Sequence, residues 1–233
     1  MSKRSGEFVT LRDLVEEVGV DAARYFFLMR RADSQLVFDV DLAKKQTDEN
    51  PVFYVQMAHA RLSGIFRIAE REPASVTGAL DPGALPAIED TELLKKLAAF
   101  PDVVEKAARE REPHRITVFL HELAGVVHGW YHRTRTVGEA PDVERARLLL
   151  ARATRIVLAN GLSLLGLSAP DRMSAVTLLV VGSIAQRDTV VALRPVLLPD
   201  QVIGQPAIRR ERARIESKAL GLRIIAQRLA RPV

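Results

Sequence analysis

The chain has 233 residues, 48% of them apolar and 27% charged, which is enough apolar material for a sizeable core and leaves an ordinary share of charge for the surface. It has no cysteine, which excludes disulfides and thiolate metal sites, and no apolar run of roughly 18 residues, which argues against a helical membrane span. The formal charge of +5 is uneven: the last 60 residues carry ten Lys/Arg against four Asp/Glu and the first 173 are close to neutral, so the main body has no global basic field with which to recruit nucleic acid.

The opening MSKRSGEFVT has no apolar stretch behind its basic residues, so a secretory leader is not expected and a cytoplasmic location is the default. Thr10 is placed to cap a helix LRDLVEEV that Gly19 ends. Asp21 is placed to cap a second helix, AARYFFLMRR. Gln35 to Val40 is β-prone but short, and Asp41 is the expected cap of a segment opening DLAKKQ. Asn50-Pro51 marks a kink or a fresh helix start, after which Val52, Val55, Ala58, Leu62, Ile65 and Ile68 fall at helical spacing. Pro73 to Pro86, with three prolines and two glycines, is a surface loop. A helix from Asp90 to Phe100 follows, and Pro101 restarts a second one to Glu112. Pro113 opens a long helix whose Ile116, Leu120, Leu123, Val127 and Tyr131 trace one face, and Pro141-Asp142 start the last. Long helices with short connections predict a mainly α fold, a helical bundle. After Met173 the style changes: no Phe, Tyr or Trp, and nine of ten basic residues are Arg. Residues 174–233 read as a basic tail of uncertain origin, poorly structured or non-native.

Met1-Ser2-Lys3-Arg4 resembles the KMSKS-type signature loop of class I aminoacyl-tRNA synthetases, in which a lysine on a mobile loop stabilises charge developing on pyrophosphate. Asp21-Ala22-Ala23-Arg24 resembles the Asp-Ala-Leu-Arg sequence that names the DALR anticodon-binding domain, departing from it at Ala23. The block Asn50-Pro51-Val52-Phe53-Tyr54-Val55-Gln56-Met57-Ala58-His59-Ala60-Arg61 is similar to that of bacterial arginyl-tRNA synthetases, departing at Phe53 and Met57. Glu112-Pro113-His114-Arg115-Ile116, Trp130-Tyr131-His132-Arg133, Leu158-Ala159-Asn160-Gly161-Leu162 and Pro170-Asp171-Arg172-Met173 extend the likeness to arginyl-tRNA synthetases across residues 1–173.

The resemblance implies a signature loop and stem-contact segment at 1–46 and a DALR helical bundle at 47–173. It implies the tRNA-recognition part of an arginine–tRNA ligase, gripping the anticodon stem and loop of arginine isoacceptors. Unstacked loop bases call for exposed aromatics, Arg, Gln, Asn and His. The expected RNA-contact positions are Tyr54, Gln56, His59, Arg61, Trp130, Tyr131, Arg135 and Met173, with Tyr54 and Arg61 on one helix face and Ala58 between them. Ser2, Lys3 and Arg4 are the expected remnant on the ATP side of the catalytic site. ATP and Mg2+ belong to the complete enzyme, and none is expected for this chain alone. The chain shows no nucleotide-binding α/β domain with a His-Ile-Gly-His-type motif, so it is expected to be inactive in charging by itself and to depend on a separate catalytic half.

No phosphate-binding glycine loop and no nucleophile elbow occur. His121, His128 and His132 share a helical face without the H-E-x-x-H spacing of a zinc helix, and no metal site is expected. Neither a membrane nor DNA is expected as a partner. Two other readings stay open at this point: a stand-alone or split-enzyme RNA-binding module, and a helical interaction protein without an RNA role.

Overall fold

The computed structural model describes residues 10–173. These are helical throughout, with no strand among the described residues: α1 (Leu11–Val18), α2 (Val20–Leu28), α3 (Val40–Lys44), α4 (Pro51–Ile68), α5 (Ile88–Ala98), α6 (Phe100–Glu110), α7 (His114–Arg133) and α8 (Pro141–Leu164). The expected loop from Pro73 to Pro86 contains two single 3-10 turns, Pro73–Ser75 and Pro82–Ala84. The expectations for Ser2, Lys3 and Arg4 and for the tail from residue 174 lie outside the described residues.

Local chemistry sets most helix starts. Thr10 and Asp13 form a reciprocal capping box: the Thr10 hydroxyl accepts from the Asp13 amide at 3.2 Å, and the Thr10 amide and hydroxyl donate to the Asp13 carboxylate at 2.9 and 2.7 Å. Those bonds hold the exposed Asp13 carboxyl below its ordinary value. Asn50 accepts from the Val52 amide at 3.2 Å and also donates to the carbonyls of Ala43 and Lys45, at 2.9 and 2.8 Å, so one buried side chain both caps α4 and closes the preceding loop.

Three local expectations differ from the structure. Asp21 does not cap α2, which starts from Gly19; its carboxylate is instead held by Gln56 and Ser168. Asp39, not Asp41, caps α3, accepting from the Leu42 amide at 2.9 Å. The β-prone run before α3 forms no ladder. Its Phe38 turns inward, with ring centroids 5.2 Å from Phe26 and 5.8 Å from Phe27, and the chain reversal that brings it there ends α2 at Leu28 rather than at Arg31.

The core is built around α7, which packs against α4, α5, α6 and α8. Leu120, Leu123 and Val127 of α7, Val55, Ala58 and Leu62 of α4, and Leu150, Leu158 and Leu162 of α8 are fully buried, as their spacing requires. Gly161 permits a close approach: a Cβ there would lie 2.6 Å from Leu120 Cδ2, so any larger residue must displace the Leu120 side chain between α8 and α7. Tyr25 of α2 is buried and donates to the Thr117 carbonyl at 3.2 Å, joining α2 to α7; burial pushes its phenol well above the ordinary value. Ile68, the last member of the expected α4 stripe, is exposed, and its position opens the candidate site.

Candidate nucleic-acid interface

Met57, Ala60, Arg61, Gly64, Arg67 and Ile68 recur on α4 at steps of three, one, three, three and one, which is a single helical stripe. Together with Tyr131 near the end of α7 and Arg172 and Met173 beyond α8, they line an open groove with a cavity volume of about 710 Å3. Its walls carry three arginines and no carboxylate. Asp171, next to Arg172 in the chain, is not among the lining residues; its carboxylate accepts from Arg155 at 2.7 Å and Ser63 at 2.8 Å, which holds it below the ordinary value. Cationic walls around an aromatic ring and apolar side chains can hold an unstacked base and its phosphates together.

Arg61 is fixed from two sides. Its guanidinium donates to His128 Nδ1 at 2.8 Å, and its central carbon lies 5.7 Å from the Tyr131 ring centroid, a cation–π contact. A guanidinium only donates, so His128 Nδ1 must carry a lone pair, which assigns the neutral tautomer with Nε2–H donating to the Tyr54 carbonyl at 3.1 Å. Burial pushes the His128 imidazole below its ordinary value against the pull of that carbonyl, and the Arg61 charge adds to the push.

Arg61, Tyr131 and Met173, drawn from the eight expected contact positions, converge on this groove from three distant parts of the chain. Tyr54 sits behind it, half-buried, with its ring centroid 5.1 Å from that of His121 and 4.5 Å from that of His128. The face it shares with Arg61 therefore runs along α7, and Ala58 between them is in the core. Gln56 and His59 are buried: Gln56 donates to Asp21 at 2.8 Å and to the Ser168 carbonyl at 3.1 Å, and His59 Nδ1–H donates to the Pro170 carbonyl at 2.9 Å. Burial pushes the His59 imidazole below its ordinary value. Arg135 is exposed just beyond α7 and donates to the Val137 carbonyl at 3.0 Å, outside the groove lining.

Trp130 lies in the core at 1% exposure, its indole N–H donating to Asp90 at 2.7 Å. Asp90 also accepts from Arg147 at 3.1 to 3.3 Å, and Arg147 reaches on to the Arg135 carbonyl. This buried acid–arginine–tryptophan network was not anticipated, although an arginine set between Ala146 and Leu148 in an apolar run was a signal for it. Arg67, Arg172 and Met57 were also missed; the stripe from Met57 to Ile68 was the available signal. Among the described residues no group of His, Asp and Glu is arranged to hold a metal ion.

Residues 55–173 match the model of the DALR anticodon binding domain, and the chain belongs to that family. It is 53% identical over 175 residues to the arginine–tRNA ligase of Geobacter metallireducens and 52% identical over the same length to that of Desulforamulus reducens, in each case across 74% of this chain and 31% of the relative. The chain thus spans about a third of the length of these curated relatives. Among solved structures it is similar to the Thermus thermophilus arginyl-tRNA synthetase, with a TM-score of 0.58 and 30% identity over 67% of this chain and 27% of that one. A Campylobacter jejuni chain described as an arginyl-tRNA synthetase gives a TM-score of 0.67 and 31% identity, over 74% of this chain and 37% of that one.

Proposed function

We propose that the bundle is the tRNA-recognition part of an arginine–tRNA ligase, the ATP-dependent enzyme that attaches arginine to its tRNA, and that the groove between α4, Tyr131 and Met173 receives the anticodon loop. The observation that carries this reading is that Arg61, Arg67 and Arg172 line one groove with Tyr131, Arg61 lying over its ring, with no carboxylate among the lining residues. Tyr131 offers a face for an unpaired base, and the arginines meet the phosphates on either side of it. Arg135, exposed beyond α7 and outside the groove lining, is a further RNA-contact position in this reading. Tyr54 acts from behind, its carbonyl holding the His128 tautomer that presents Arg61. In this reading residues 1–46 are the signature loop and stem-contact segment and 47–173 the anticodon-binding bundle. In the complete ligase, Ser2, Lys3 and Arg4 face ATP and its Mg2+, in the cytoplasm, and arginine isoacceptors are the tRNA partners. The described residues hold no donor set for a divalent cation, and no step of arginine activation is assigned to them.

The test is titration of the whole chain with a labelled arginine-tRNA anticodon stem-loop. The Tyr131→Ala variant should bind about fivefold or more weakly, from a stacking contribution of about 1–3 kcal/mol. Arg67→Ala should weaken binding of all RNA loops alike and reduce the slope of log affinity against log salt by about 0.7. Equal affinity of Tyr131→Ala, Arg67→Ala and the unchanged chain would remove the groove from consideration.

A further inference from the structure

Arg172 and Met173 follow a segment that has no helical hydrogen bonds of its own beyond the turn closing α8. That segment is nevertheless held at almost every residue. Gly166, in the left-handed region with φ 70°, reverses the chain, and its carbonyl accepts from Arg24. The Ser168 amide donates to the Asp21 carboxylate at 3.1 Å and the Ser168 hydroxyl donates to the same oxygen. The Ser168 carbonyl accepts from Gln56, whose amide group also donates to Asp21. The Pro170 carbonyl accepts from His59. The Asp171 side chain accepts from Ser63 and Arg155, and its carbonyl from Arg67 at 3.0 Å. A short non-helical strap is thereby pinned along α4, and its last two residues reach the groove.

We infer that Asp21 and Arg24, the two charged residues of the Asp21-Ala22-Ala23-Arg24 sequence on α2, are positioning residues of the groove, acting through the 166–173 strap to set where Arg172 and Met173 lie. Neither lines the groove. Asp21 stands 147 residues from Ser168 in sequence and Arg24 stands 142 from Gly166, so both bonds are tertiary. The clamp uses a short acidic and a long basic side chain about one helical turn apart. The carboxylate collects three donors at one oxygen, while the guanidinium extends along the turn to a carbonyl two residues earlier in the strap. Gln56, His59 and Ser63 on α4 complete the same clamp from the other side.

The inference deepens the reading of the groove as an RNA site and rests on it for the binding arm of the test alone. The chain has four methionines, so its methyl-labelled spectrum is simple, and Met173→Leu assigns the relevant signal. In the free, full-length chain, Asp21→Ala and Arg24→Ala should each shift or broaden the Met173 methyl resonance, with the helical circular dichroism retained. Asp21→Asn, which keeps an acceptor oxygen in place, should restore it. Asp21→Ala should weaken the anticodon stem-loop by about five- to tenfold and Asp21→Asn much less. Should Asp21→Ala fail to fold, Ser168→Ala, at an exposed position, removes the hydroxyl donor of the same clamp and should displace the same signal. An unmoved Met173 resonance in these variants overturns the inference, as does a displaced Met173 with RNA affinity equal to that of the unchanged chain. If the unchanged chain does not bind the stem-loop, the reading of the groove falls, and the Met173 resonance alone decides the clamp.

Discussion

Replacing Asp90 by alanine tests the buried network of Asp90, Arg147 and Trp130. Asp90 is fully buried and accepts from the Trp130 indole, from Arg147 and from the Ala87 amide at the start of α5. The Arg147 side chain is 7% exposed, so Asp90→Ala would leave a desolvated guanidinium with the Arg135 carbonyl as its remaining acceptor and an indole N–H with none. Removing one partner of a buried ion pair costs about 3–5 kcal/mol, because the remaining charge stays desolvated. Against a total stability of about 5–15 kcal/mol this is a large fraction. At about 2–4 °C per kcal/mol for a domain of this size, the midpoint of thermal unfolding should fall by roughly 6–20 °C. Replacing both charges, Asp90→Leu with Arg147→Met, should cost much less than the two single changes added together, since no unpaired charge remains. Circular dichroism melts of the two singles and the double decide the matter. A loss below about 1 kcal/mol for Asp90→Ala, or strict additivity in the double, would refute the account of a mutually dependent buried pair.

Two glycines on neighbouring helices should respond oppositely to alanine. Gly161→Ala must displace Leu120, whose Cδ2 would lie 2.6 Å from the new methyl in a filled core, and should destabilise by about 1–3 kcal/mol less the helix gain of about 1 kcal/mol. Gly125→Ala meets only the Tyr54 hydroxyl at an ordinary 3.5 Å and should be neutral or raise the melting temperature. The pH dependence follows from His59 and His128, whose folded values are depressed by burial below the ordinary 6.5. The unfolded chain therefore binds more protons near that pH, so stability is full above about pH 6.5–7 and is lost as pH falls toward the folded values. The melting temperature should drop between pH 7.5 and 5.5, and less so in His128→Gln; a flat profile over that range would contradict the assigned neutral tautomer. Asp171, whose value is lowered, adds its own loss only at more acid pH.

Much of the helical layout was legible because its causes are local. Thr10 with Asp13, Asn50 with Pro51 and Pro141 act within one turn of the helices they start, and the apolar spacing of α4 and α7 names the faces they bury. The errors have a common cause. Asp21 has the composition of a cap, but donors from Gln56 and Ser168 claim its carboxylate in the fold. Phe38 lies in a β-prone run, yet with no adjacent strand among the described residues its ring goes to Phe26 and Phe27.

The candidate site divides along the same line. Composition and motif determined that aromatic, basic and amide side chains would gather on α4 and the end of α7, and they determined the family. Which of those side chains face solvent was decided by how α4 lies against α7 and α8. That contact turns Arg61, Arg67 and Met57 outward, lays Tyr54 along α7, draws Gln56 and His59 inward to hold the strap, and buries Trp130 against Asp90. A polar side chain on a helix can serve a ligand or the protein's own unpaired backbone, and spacing within one helix does not distinguish the two. For Gln56 and His59 the choice belongs to carbonyls more than 100 residues away, which only the tertiary structure brings within hydrogen-bonding distance.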